Sequence, residues 1–83
     1  MKRIIKLGVG PEKPGEIKYQ AVHEASDAQG FADQIRSAWE TETEKLSDQP
    51  EDTDDFLWLT VEEDESGWGD FDLEDEIMEL LDP

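Results

Sequence analysis

The sequence predicts a small α+β domain: a three-stranded, mostly antiparallel sheet with two helices, in the order β-β-α-β-α. Three observations carry that prediction. Two N-terminal runs alternate apolar with other residues at period two, as half-buried strands do. A capped segment then repeats apolar residues at helical spacing. A β-prone hexapeptide and a second amphipathic helix complete the pattern, and helices segregated from antiparallel strands define the class. Eighty-three residues make one domain.

Residues 1–23 read as a basic β-hairpin. Ile5, Leu7 and Val9 share one face, and Lys2, Ile4, Lys6 and Gly8 share the other. The run Gly10-Pro11-Glu12-Lys13-Pro14-Gly15 is dense in breakers and reads as the connecting loop. Ile17, Tyr19 and Ala21 are expected inward, Lys18 and Gln20 outward. Outward lysines keep an exposed strand from pairing with other chains.

Residues 24–47 hold the first helix. Ser26 with Gln29 fits a capping box, and Phe31, Ile35, Ala38 and Trp39 form a core stripe, with Asp33, Glu40 and Glu44 toward solvent. Gly30 costs this helix about 1 kcal/mol relative to Ala. Residues 48–55 form an acidic loop around Pro50. Residues 56–62 are a strand, Phe-Leu-Trp-Leu-Thr-Val-Glu, apolar on both faces and therefore expected at the centre of the sheet or sandwiched between a helix and another surface. Residues 63–71 are an acidic turn. Residues 72–82 are an acidic C-terminal helix, with Asp72 as its cap and Leu73, Ile77, Leu80 and Leu81 as its apolar stripe. No base stands near its C-terminus to meet the helix dipole.

The net charge is −17, from 24 acids against 7 bases. Residues 1–23 carry five bases and two acids, whereas residues 24–83 carry two bases and 22 acids. Between Asp48 and Pro83 there are sixteen acids and no Lys, Arg or His. A small soluble domain needs a net charge of only roughly 2–8 in magnitude. The excess makes a folded chain repel itself, which points to a function or to a salty environment. Acids spread evenly would suit salt adaptation; one-sided acids suit a directed face. Such a face repels nucleic acid and anionic membranes and attracts the basic sites that bind nucleic acid.

The chain has no cysteine, so disulfides and thiolate metal sites are excluded. Its N-terminal apolar run is interrupted by Lys6 and Gly8, unlike a signal peptide, and the expected location is the cytoplasm. Nucleophilic catalysis finds no support: one histidine, His23, and no Gly-x-Ser-x-Gly or phosphate-binding loop. No enzyme activity, cofactor or metal is expected. Asp64 to Asp75 partly fits a twelve-residue calcium loop, but Trp68 stands at a ligand position and Asp75 replaces the closing Glu.

The remaining motif is the carboxylate array. The expected partner-binding residues are Asp52, Asp54, Asp55, Glu62, Glu63, Asp64, Glu65, Asp70, Asp72, Glu74, Asp75, Glu76 and Glu79, each a phosphate surrogate. Helix neighbours stand roughly 5–6 Å apart, and B-DNA carries a charge per roughly 1.7 Å of axis. Trp68 or Phe71 is expected to add an apolar anchor or to join the core.

In size, acidity, absence of cysteine and α+β pattern, the whole chain resembles the DNA-mimic inhibitors encoded by bacteriophages, the anti-CRISPR and anti-restriction proteins among them. The resemblance is one of composition, with no family motif matched. It implies stoichiometric inhibition of a host defence nuclease or surveillance complex by occupation of its DNA-binding or PAM-reading groove, in the cytoplasm of the infected cell. Grooves of this kind read DNA with Arg side chains. The partner is then a basic nucleic-acid-binding protein, with no direct contact to nucleic acid or membrane, and the chain is a monomer or homodimer. The alternative is an acidic interaction module whose C-terminal amphipathic helix docks into a partner's groove.

Overall fold

The computed structural model describes residues 1–48, 55–64 and 66–81. It contains β1 (Lys2–Gly10), β2 (Glu16–Glu24), α1 (Ala28–Ser47), β3 (Phe56–Glu63) and α2 (Phe71–Leu81). The element order is the expected one, and the class is α+β. Both strand pairings are antiparallel, and the sheet order is β2-β1-β3.

The centre of the sheet is therefore β1, and β3 is an edge strand, contrary to the reading of its two apolar faces. Among the described residues its second face meets no further layer. Instead Trp58 donates its indole N–H to Gly10 O at 2.8 Å and meets Phe56 edge-on, with ring centroids 6.0 Å apart. The outer edge of β3 is partly covered by the chain that follows it. Asp70 N–H bonds Val61 O at 2.9 Å, Glu63 N–H bonds Trp68 O at 2.7 Å, and Gly69 bridges Glu62.

Both helices contribute to one core on one face of the sheet. Ile5, Leu7, Leu59 and Val61 point up from β1 and β3; Phe31, Ala32, Ile35 and Trp39 descend from α1; Leu73, Ile77 and Leu81 come from α2. Strand alternation then sends Ile4, Lys6 and Gly8 to the helix-free face. Ile17 departs from expectation: it is exposed, while Tyr19 packs against the core. The register shifts between Leu7 and Gly8, where Leu7 faces Tyr19 but Gly8 faces Ile17. One extra residue of β2 is accommodated there, and that places Ile17 on the opposite face.

Helix ends correct the sequence reading twice. Asp27, not Ser26, caps α1: its Oδ1 accepts the Gly30 N–H at 2.9 Å. Gln29 turns to Asp33 instead, donating to Oδ1 at 2.8 Å. Asp27→Ala is thus expected to cost about 1 kcal/mol, and Ser26→Ala close to nothing. Urea denaturation of the two variants distinguishes the assignments, and equal losses would refute this one.

In α2 the cap is Asp70, one residue before the helix. Its Oδ1 accepts from Leu73 N–H at 3.3 Å, and its backbone O accepts from Glu74 N–H at 2.9 Å. Asp72 lies instead in the first turn with its carboxylate exposed. The cation missing from the end of α2 comes from α1, where the Arg36 guanidinium donates to Leu80 O at 3.3 Å. Positive charge against terminal carbonyls stabilises a helix end whether it comes from the same helix or a neighbour. Among the described residues no helix is long and apolar enough to cross a membrane.

Candidate functional site

The acidic C-terminal half separates into carboxylates that hold the fold and carboxylates left to solvent. Three belong to the first group. Glu62 accepts from Lys6 at 3.2 Å, Asp70 from Arg3 Nε at 2.9 Å, and Glu74 from Lys13. Each bond ties the hairpin to β3, to the turn after it or to α2, across 56, 67 and 61 residues of chain. Three of the five cations of the hairpin, Arg3, Lys6 and Lys13, are thus spent on intramolecular pairs with the acidic half.

Glu74 departs furthest from the expectation of a surface phosphate surrogate. It is 7% exposed. Its second oxygen accepts from the Val61 backbone N–H at 3.4 Å, on the edge of β3 that β1 does not use. A buried carboxylate requires such partners, since leaving one unpaired costs several kcal/mol. Glu74 is therefore a fastening between α2, β3 and the loop carrying Lys13.

The second group lies on α2. Asp72, Asp75, Glu76 and Glu79 are all exposed, at i, i+3, i+4 and i+7, which is one face of a helix over two turns. The opposite face, Leu73, Ile77 and Leu81, is buried against the core. Burial fixes the helix's rotation, and rotation fixes where the four carboxylates point. Glu63 is exposed at the end of β3, Asp64 half-buried in the turn and Asp55 half-buried before β3. Asp52, Asp54 and Glu65 lie outside the described residues, as does most of the 48–55 acidic loop.

Two aromatics stand at the N-terminal end of this face. Trp68 is 75% exposed and Phe71 69% exposed, so neither joins the core. The Lys13 ammonium sits 5.9 Å from the Phe71 ring centroid, within cation–π range. The Phe71 ring also packs over Gly69, where an added Cβ would lie 3.1 Å from it.

Elsewhere the polar side chains serve the scaffold. The Gln34 amide donates to Glu24 O at 2.8 Å, so its carbonyl faces His23 Nδ1 at 2.9 Å. Nδ1 then carries the proton, and Nε2 accepts from the Tyr19 hydroxyl at 2.6 Å. Burial raises the Tyr19 phenol above its ordinary pKa of 10.0, which keeps it a neutral donor. The chain of contacts joins β2 to α1. In the calcium-loop reading of Asp64 to Asp75, Asp70 stands at position 7, which ligates through its backbone carbonyl; here that carbonyl accepts the Glu74 N–H, and α2 already begins at Phe71.

Sequence reasoning missed Glu42, buried on α1 and bonded to Lys45 at 3.1 Å. Its i,i+3 spacing was the available signal. It also missed the hairpin-to-acid pairs, for which spacing along the chain offers none. Comparison with protein-family models, with curated proteins and with solved structures gives no match to this chain.

Proposed function

We propose that this protein is a nucleic-acid mimic: an inhibitor that occupies the cationic DNA-binding or PAM-reading groove of a defence nuclease or surveillance complex, in the cytoplasm of the infected host. The observation that carries the reading is the exposed row Asp72, Asp75, Glu76 and Glu79 on a helix whose other face is buried in the protein's own core. Its rotation is set before any partner arrives, so binding spends little on ordering the acids. Carboxylates of this kind pair bidentately with arginine, and Trp68 with Phe71 supplies an apolar anchor among them. The docked apolar face also weighs against the alternative in which α2 inserts into a partner's groove. That mode would require Leu73, Ile77 and Leu81 to leave the core.

The test is competition. A panel of DNA-binding nucleases, RNA-guided ones included, is incubated with the protein, and DNA binding is measured by fluorescence anisotropy. One member is expected to lose DNA binding, with an inhibition constant that rises steeply between low and high salt, as when phosphate contacts are replaced. Asp75→Lys with Glu79→Lys is expected to weaken inhibition by about 100-fold, on the scale of truncating close interfacial charge pairs. Inhibition that ignores both salt and these reversals would overturn the mimicry.

A further inference from the structure

A second feature of the surface lies away from the α2 row. Between the C-terminal halves of α1 and α2 there is an open hollow of about 320 Å³, lined by Trp39, Glu40, Thr43, Glu44 and Leu81. Its floor is apolar: Trp39 and Leu81 are mostly buried and expose only an edge. Its rim is anionic: Glu40 and Glu44 are exposed, four residues apart on one helix, and so on one face roughly 5–6 Å from each other.

The nearby cations are occupied elsewhere. Lys45 bonds Glu42 at 3.1 Å, and Arg36 bonds Leu80 O at 3.3 Å. Glu40 and Glu44 have no cationic partner among the described residues. The hollow therefore joins an apolar floor to two unneutralised carboxylates at one edge.

We infer that this hollow seats an arginine side chain presented by the basic partner, an inference that rests on the function proposed above. Arginine has the matching anatomy, a three-carbon apolar stem and a planar charged head. The stem lies on Trp39 and Leu81, and the guanidinium reaches Glu40 and Glu44 with its fork of donors. Lysine fits less well, because a compact ammonium cannot serve both carboxylates with fixed geometry. A docked arginine would give the flat electrostatic contact a point of register, since a charge row alone accepts a cationic groove at several offsets.

The probe is Nα-acetyl-arginine methylamide, titrated into the 15N-labelled full chain and followed by amide shifts. Saturable shifts are expected at Glu40, Thr43, Glu44, Leu81 and the Trp39 indole N–H. The lysine analogue is expected to bind more weakly. The double variant Glu40→Gln with Glu44→Gln is expected to weaken the arginine probe roughly fivefold or more, from the loss of two charge-assisted contacts. Glu76→Gln with Glu79→Gln removes the same charge elsewhere and is expected to leave it unchanged.

Shifts spread evenly over the acidic surface, or equal weakening in both double variants, would overturn the site. So would the absence of any shift. Because the readout uses a small cation and not the nuclease, loss of this site leaves the DNA-competition result standing, and failure of that competition leaves this titration to be read on its own.

Discussion

Ile77→Ala is expected to loosen α2 and abolish partner binding while leaving every charge in place. Ile77 has no exposed surface and stands on the buried face of α2 between Leu73 and Leu81. Truncating a buried Ile to Ala costs about 2–5 kcal/mol in lost transfer energy and residual cavity. A domain of this length is stable by only about 4–12 kcal/mol in total. The midpoint of thermal unfolding should fall by about 10 °C or more.

The functional consequence follows from the row of carboxylates. With Ile77 gone, Asp72, Asp75, Glu76 and Glu79 remain but their direction is no longer held, and a partner must then order them at the cost of its own binding energy. The paired control is Asp75→Asn with Glu79→Gln. Those changes relieve repulsion at i,i+4 by a few tenths of a kcal/mol, so the fold should be unharmed or slightly firmer while binding weakens. Circular-dichroism melts and amide exchange across Phe71–Leu81 check both variants. An Ile77→Ala protein with native exchange protection in α2 would show that the core does not fix this helix.

The second large effect is expected at Gly8. This residue is buried in the central strand, between Ile17 on β2 and Trp58 on β3. The loop between β1 and β2 folds back over it, so closely that an added Cβ would lie 1.8 Å from the Pro14 carbonyl oxygen and 3.0 Å from its carbon. Both atoms are backbone and neither can rotate away. Gly8→Ala must lift the loop, and the loop carries Lys13. The ion pair with Glu74 is then lost, and the buried carboxylate keeps only the Val61 N–H.

Overpacking costs about 1–3 kcal/mol, and Gly8→Ala belongs at the top of that range or above it, since a buried charge loses its partner as well. Lys13→Met separates the two contributions: it removes the ion pair without a clash and should cost less. Urea midpoints measure both. Gly8→Ala as stable as the parent would mean that the loop does not rest on the strand.

The types and order of the elements were legible in the sequence because each depends on near neighbours. Alternation at Ile5 and Leu7, helical spacing at Phe31, Ile35 and Trp39, and the stripe Leu73, Ile77 and Leu81 are local patterns and are buried as read, while Val9, Ala38 and Leu80, read into the same stripes, are half-buried. Where a local pattern admitted two solutions, the reading slipped. Ser26 and Asp27 both offer a capping oxygen, and Asp70 and Asp72 likewise; the chain's path into each helix chose between them. Ile17 looked inward by counting twos, but a register shift between Leu7 and Gly8, close to the hairpin loop, reversed it. The hydrophobic second face of β3 suggested a central strand, whereas Trp58 and Phe56 cover the helix-free side of an edge strand instead.

The candidate site divides in the same way. The sequence by itself determined the quantity and sign of the charge, its concentration after Asp48, and the apolar stripe beneath the last helix. Only the tertiary structure decided which carboxylates are free. Arg3, Lys6 and Lys13 meet Asp70, Glu62 and Glu74 because the antiparallel sheet and the returning loop bring together residues 56 to 67 positions apart. The Coulomb attraction that selects these pairs depends on distance in space, and a list of residues contains no such distance.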